Sequence, residues 1–165
     1  MNNIKEEFVK YFGEELWNEQ EAMKEYQDVV NLVSSKYLCI EPIPVVFESL
    51  EEDISRYDFK LQAIILNRKY KDDHIELMDS CLHELEHHWQ RIYIANNDTP
   101  KARRWKSELK HYDKLNVTQE IEIDACAFAQ VILLCEFGII HKHSNKYIQY
   151  LIDDYINTRK ILNDD

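Results

Sequence analysis

Residues 73–94 carry the pattern that most constrains how this chain can fold, an apolar stripe typical of one face of an amphipathic helix. Its members recur at spacings of three and four residues: Ile75, Met78, Leu82, Leu85 and Trp89. Helical periodicity of this kind does not depend on any functional motif. The sequence therefore predicts a helix here on structural grounds alone.

Two histidines lie just off this stripe, in the sequence His83-Glu84-Leu85-Glu86-His87. Positions four apart on a helix lie on the same side and roughly one turn apart, so both imidazoles can reach one ion. Glu84 follows the first histidine, where its carboxylate can take a proton from a metal-activated water without binding the metal. The pattern predicts His83 and His87 as ligands of a zinc ion (Zn²⁺), and Glu84 as a catalytic base.

A catalytic zinc ion usually takes a third protein ligand, and a second strongly helical stretch at residues 118–137 offers carboxylates near its start. Glu122 lies on a flank of small side chains that includes Cys126, which would let this helix approach the metal helix closely. Glu120 lies on the other flank, one turn before Asp124. Periodicity alone leaves Glu120 and Glu122 both open as the third ligand.

The two motifs in this order resemble the gluzincin metallopeptidases, in particular the small intracellular ImmA/IrrE-type peptidases and related phage-borne proteins. The resemblance covers residues 60–135. In that group a helical Glu-x-x-Ala pattern followed by Phe-Ala supplies the third zinc ligand, and counting back from Phe128 and Ala129 gives this role to Glu122. Asp124 is then expected in an outer role, accepting a hydrogen bond from the free N–H of a ligand histidine.

The chain departs from the resembled pattern at two points. Cys126 stands where the group usually has Asn or Asp after the alanine of the motif. The Glu-x-x-x-Asp spacing of other gluzincins is met by Glu120 with Asp124, and not by Glu122. The resemblance therefore favours Glu122, while the second spacing keeps Glu120 as the alternative.

The order of patterns along the chain predicts an α+β fold in one domain spanning residues 1–165. Runs of branched apolar residues predict strands after Pro42 and Pro44 end the helical pattern. The expected elements are helices at 3–12 and 14–36, strands at 43–47, 54–59 and 61–66, and helices at 73–94, 100–112, 118–137 and 144–162.

The resemblance implies further that this fold is zincin-like. N-terminal helices would precede a small, mostly antiparallel sheet, with the zinc site beneath it, followed by the metal helix and the third-ligand helix. An edge strand, residues 61–67 or the strand before, would pair with an extended peptide substrate. The alternative is an ordinary strand covered by its own loop.

Composition and charge limit the classes of molecule that we expect this protein to bind. A content of 45% hydrophobic residues with two glycines and three prolines fits a globular, helix-rich protein. The net charge of -11 argues against nucleic-acid binding and favours a basic protein or peptide partner. We expect no membrane segment and a cytoplasmic location, since no apolar run reaches spanning length and the first residues lack the apolar core of a signal peptide. The oligomeric state is not specified.

The four cysteines show no CxxC spacing and are expected to be thiols in a reducing compartment: Cys39, Cys81, Cys126 and Cys135. Cys81 and Cys126 are expected to be buried and inert, with a metal-ligating role as the alternative.

The expected function is that of a zinc-dependent endopeptidase that cleaves one or a few intracellular proteins, and the resemblance suggests regulatory cleavage. Two alternatives remain: a catalytically silent zinc-containing binding protein, and a metal-dependent hydrolase of a small amide. A peptidase also needs a donor for the tetrahedral oxyanion. Spacing leaves five candidates open for that donor: His88, His111, Tyr112, His141 and His143.

Overall fold

The computed structural model describes residues 18–111 and 117–159. Within them lie α1 (Glu19–Val33), β1 (Val45–Glu48), β2 (Ser55–Asp58), β3 (Ala63–Asn67), α2 (His74–Asn96), α3 (Pro100–Lys110), α4 (Glu120–Phe137) and α5 (Lys146–Arg159). The expected α+β class and the order of helices, sheet and helices are confirmed for these residues. The helix expected at residues 3–12 lies outside the described part of the chain.

The sheet has the strand order β1-β3-β2, with β1 parallel and β2 antiparallel to β3. It is therefore mixed, and not mostly antiparallel as expected. Strands β2 and β3 form a hairpin, whose turn is closed by the Asp58 carboxylate accepting the N–H groups of Lys60 and Leu61, both at 2.9 Å. Strand β2 comes between β1 and β3 in the chain and runs in the opposite direction to both. Strand β3 therefore runs in the same direction as β1.

Strand β3 lies at the centre of the sheet, and all five of its residues are buried. The edge strand on the side of the later helices is β2, which is half-buried. Of the two strands that could have been the exposed edge, the structure therefore selects the earlier one. This matters for the site because β2 packs against α2.

Helix α2 packs against the sheet, α1 and α4, and the main core lies between them. Leu82 and Leu85 of the predicted stripe are fully buried, whereas Ile75 in the first helical turn is 45% exposed. Leu77 and Cys81 are buried in its place. The buried face is wider than the stripe because α2 has neighbours on several sides, and one stripe faces only one neighbour.

The start of α4, which carries the third-ligand candidates, is held by α3. The Glu108 carboxylate accepts the N–H groups of Glu120 at 3.2 Å and of Ile121 at 2.9 Å. These N–H groups have no partner within the helix, and an acidic side chain at a helix N-terminus also interacts favourably with the helix dipole. Gly138 ends α4 with a φ of 66°, a left-handed conformation that glycine adopts without strain.

Two further sequence expectations concern membranes and thiols. None of the helices in residues 18–111 and 117–159 has the length and apolar character needed to cross a bilayer. All four cysteines are free. Cys81 is buried as expected, Cys126 is half-buried, and Cys39 and Cys135 are exposed.

Candidate metal centre

His83 and His87 lie on successive turns of α2 and direct their Nε2 atoms at the same carboxylate. The Nε2 of His83 is 3.4 Å from Oε2 of Glu122, and the Nε2 of His87 is 3.4 Å from Oε1. One ligand atom from each of the three residues lies within 4.8 Å of the others. This is a His-His-Glu group close enough to bind one metal ion.

Close packing of α4 on α2 brings Glu122 to the histidines. Ala125 and Ala129 are fully buried, and their short side chains permit the close approach of the two helices that the sequence indicated. Glu120 is directed elsewhere, and its carboxylate pairs with Arg104 of α3 at 3.0 Å. Of the two carboxylates that periodicity left open, the structure brings Glu122 to the histidines.

The other nitrogen of each histidine has a partner, which leaves the Nε2 atoms for an ion. The Nδ1 of His87 lies 2.8 Å from Oε1 of Gln90. The amide nitrogen of Gln90 donates to the Ile121 carbonyl and to Asp124, so its oxygen must be the acceptor for His87. His87 therefore carries its proton on Nδ1 and presents a lone pair at Nε2. The Nδ1 of His83 lies 3.5 Å from the Cys126 sulfur.

The sequence predicts a hydrogen bond from a ligand histidine to Asp124, but in the structure Asp124 bonds to Gln90, which in turn bonds to His87. The Oδ2 of Asp124 accepts from Gln90 at 2.8 Å, and its Oδ1 accepts from the Tyr155 hydroxyl of α5. Asp124 thus acts on His87 through Gln90, which orients the imidazole. Sequence reasoning missed Gln90, although its position three residues after His87 places it on the same side of α2.

The group has the electrostatics of a cation site. Oε1 of Glu122 is buried and accepts no hydrogen bond, a costly arrangement that a cation between the three residues would relieve. Burial raises the pKa of Glu122, but its closeness to the two histidines outweighs burial and holds the pKa well below its usual range. Burial lowers the pKa of His83, but Cys126 and Glu122 more than reverse this and raise it. Two nitrogens and one carboxylate oxygen suit a divalent transition metal.

Glu84 is held by the edge strand. Its Oε1 accepts from the Ser55 hydroxyl at 2.8 Å, and its Oε2 accepts from the N–H of Tyr57 at 2.9 Å. Since β3 lies on the other side of β2, this N–H belongs to the outer edge of the sheet, where Glu84 occupies it. Sequence reasoning missed Ser55 and Tyr57, because neither residue lies near the motif in the chain.

A cavity of about 490 Å³ adjoins the group. Its walls come from β2, α2, α3 and α4 and include Ser55, Arg56, Tyr57, His83, Glu84, His87, Gln90, Arg91 and Glu122. The metal-binding group and the Glu84 carboxylate therefore open onto the same space. A molecule in this cavity can contact both.

None of the four described candidates for the oxyanion donor lines this cavity. His88 is buried with its Nδ1 at 2.9 Å from the Tyr57 hydroxyl, and His141 lies 3.3 Å from Glu76. His111 contacts its own helix, and His143 accepts the N–H of Asn145 in the same loop. The fifth candidate, Tyr112, lies outside the described residues. The cavity is lined instead by other residues with side-chain donors, among them Arg56 and Arg91, which sequence reasoning did not consider.

The fold and the site together define a mainly helical α+β protein with a His-His-Glu group that can bind a metal ion. Comparison of the chain with protein-family models, with curated proteins and with solved structures found no match.

Proposed function

We propose that this protein is a zinc-dependent peptidase that hydrolyses one or a few protein or peptide substrates. The observation that carries the proposal is that Glu84 and the His-His-Glu group line the same cavity. A structural metal site needs only ligands. A carboxylate held beside the ligands without joining them is what hydrolysis requires.

Zinc is the metal that the ligand set favours. Two imidazole nitrogens and one carboxylate oxygen match catalytic zinc sites in which three protein groups leave a further coordination position open. His83, His87 and Glu122 would hold the ion, with Gln90 and Asp124 fixing the orientation of His87. When bound, zinc supplies the Lewis acidity that activates a water and polarises a carbonyl.

The remaining chemistry falls to the residues of the chain. Glu84 accepts the proton of the attacking water and delivers it to the amide nitrogen as that nitrogen leaves. Ser55 and the Tyr57 N–H hold this carboxylate in place during both transfers.

Strand β2 supports a peptide as the substrate. It is an edge strand of the sheet and lies along the cavity beside Glu84. An extended peptide can pair with a strand edge through main-chain hydrogen bonds, here with groups of β2 other than the Tyr57 N–H, and side-chain pockets then supply selectivity. Such pairing would place a substrate carbonyl near the metal-binding group.

The experiment that tests the proposal compares wild type with Glu84→Gln on a proteome-derived peptide mixture, in the presence of zinc. New peptide ends are read by mass spectrometry. We expect wild type to cleave and Glu84→Gln to bind zinc normally but lose cleavage by several orders of magnitude. Glu25→Gln makes the same chemical change at an exposed position of α1 and should cleave like wild type. Equal cleavage by Glu84→Gln and wild type, or none by wild type, would overturn the proposal.

A further inference from the structure

Two arginines line the cavity, Arg56 on β2 and Arg91 on α2. Within residues 18–111 and 117–159, neither of them forms an ion pair, although the whole chain has 31 acidic residues against 20 basic ones. The other arginines whose side chains are described, Arg68, Arg103 and Arg104, each pair with a carboxylate. The guanidinium groups at the cavity thus differ from those elsewhere in the described protein.

Three of the described carboxylates also line the cavity, and none of them forms an ion pair with either arginine. Glu122 faces the two histidines, and Glu84 accepts hydrogen bonds from β2. Asp53 also lines the cavity but makes no ion pair with either arginine. Within the described residues, neither arginine is therefore paired with a carboxylate of the cavity wall.

Arg91 lies in line with the two histidines of the metal-binding group on α2. It follows His87 by four residues and His83 by eight, so the three side chains form a row along one side of α2. Its guanidinium carbon lies 4.5 Å from the ring centre of Phe59 and 6.0 Å from that of Tyr57. These contacts hold the guanidinium one helical turn beyond a metal-binding residue.

Contact with ring faces uses the flat side of a guanidinium and leaves its N–H groups at the edge available. Phe59 is 60% exposed, so its contact with the Arg91 guanidinium faces solvent and not the core. The ligand that such a planar fork of donors fits best is a carboxylate, which it can bind through two parallel hydrogen bonds. Arg56, on β2, adds a second positive charge to the cavity wall.

We propose that Arg91, assisted by Arg56, binds a carboxylate of the substrate beside the scissile bond, and so selects acidic peptides. The inference rests on the proposed peptidase function and names its substrate class. It also reverses the expectation drawn from the net charge of -11, which favoured a basic substrate. Close contacts in the cavity outweigh the field of distant charges because surface charges more than about 8 Å apart are largely screened at physiological salt.

Two sources could supply this carboxylate, an acidic side chain or the C-terminus of the substrate. The test uses peptide hydroxamates, whose hydroxamate group binds zinc without being hydrolysed. One pair carries Glu or Gln as its only difference, and a second pair carries a free or an amidated C-terminus. Binding to the zinc-loaded, full-length protein is measured by calorimetry.

We expect wild type to bind one acidic probe roughly tenfold or more tightly than its neutral match, the range for a hydrogen bond to a charged group. The pair that shows the difference identifies the source of the carboxylate. Arg91→Gln should reduce the preference to within about twofold, and Arg91→Lys should retain part of it because the charge remains without the planar fork. Arg103→Gln removes the same charge from an exposed position of α3, where Arg103 pairs with Asp98, and should bind like wild type.

Equal binding of acidic and neutral probes by wild type would overturn the inference and leave the peptidase proposal intact. A preference that survives in a folded Arg91→Gln would also overturn the role of Arg91. Failure of every hydroxamate to bind would contradict the zinc site itself, and the substrate class would fail with it.

Discussion

The Ser55 hydroxyl donates a hydrogen bond to the Glu84 carboxylate at 2.8 Å, and this contact joins the edge strand to the helix that carries both histidines. The two residues are 29 positions apart in the chain. A carboxylate on an exposed helix face would ordinarily sample several rotamers. The strand restricts Glu84 to one position beside the metal-binding group, and Ser55 is therefore a positioning residue for the proposed base.

The first prediction concerns Ser55→Ala. This variant should fold and bind zinc like wild type, because Ser55 is not a ligand, while kcat falls roughly tenfold through looser placement of Glu84. KM should change less than kcat. Ser107→Ala, an exposed serine of α3, serves as the matched control and should be unchanged. An unaltered kcat in Ser55→Ala would argue against positioning, and a loss as complete as in Glu84→Gln would indicate a direct chemical role.

The second prediction compares Glu122→Ala with Glu120→Ala. Wild type should hold about one zinc ion per chain. Glu122→Ala should lose zinc affinity by more than the roughly 10- to 100-fold that removal of an outer partner costs, whereas Glu120→Ala should keep it. The reason is that Glu122 faces both Nε2 atoms and Glu120 faces Arg104.

Competition with a chelating dye measures these affinities, and His83→Ala and His87→Ala serve as positive controls for loss. Zinc loss in Glu120→Ala with retention in Glu122→Ala would place the third ligand two residues earlier. Full zinc occupancy in both histidine variants would contradict the metal site altogether.

The third prediction concerns Gln90→Met, which keeps the size of the side chain but removes the link between His87 and Asp124. Zinc affinity should fall by roughly 10- to 100-fold because the imidazole loses its orienting partner. Gln130→Met removes a different glutamine of the interior, one that bonds to Gln149, and controls for a general loss of stability. If both variants lose zinc to the same extent, Gln90 has no specific effect on the site.

The fourth prediction concerns the carboxyl pair of Glu86 and Asp124, which are 3% and 4% exposed. Burial raises the pKa of Glu86 well above its usual range, and the neighbouring charge of Asp124 adds to this rise. Burial also raises the pKa of Asp124, although Tyr155 and Gln90 donate to its charged form. We infer that Glu86 is the protonated partner, because its pKa is raised well above the usual range and no donor among the described residues stabilises its charged form as Tyr155 and Gln90 stabilise that of Asp124.

The direction of the pH effect follows from proton counts. Above the ordinary glutamate pKa of 4.5, the unfolded chain releases a proton that the folded chain retains. The contribution of Glu86 to stability is therefore complete below that pH and declines as the pH rises toward the folded-state pKa. Glu86→Gln keeps a donor without a titrating proton, so its stability relative to wild type should increase with pH across this window.

Denaturant unfolding of the two proteins at several pH values measures the difference between them. Subtracting wild type from Glu86→Gln at each pH removes the contributions that the two proteins share. A difference that stays constant with pH would contradict a proton held by Glu86.

The sequence by itself determined the features that depend on local periodicity. Helix α2 follows from its stripe, the pairing of His83 with His87 follows from their spacing on a helix, and the placement of Glu84 beside them follows in the same way. A second helix with acidic residues near its start was also evident. Each of these conclusions concerns residues within a few turns of one another, where helix geometry fixes relative positions.

Only the tertiary structure decided between Glu120 and Glu122, since both lie on flanks of α4 and the choice depends on how that helix packs against α2. It also decided that the sheet is mixed and that β2 is its edge, because strand pairing joins residues distant in the chain. Ser55, Gln90 and Arg91 acquire their roles through neighbours on other elements or through the cavity they share. Contacts of this kind depend on the path of the whole chain, which no local pattern encodes.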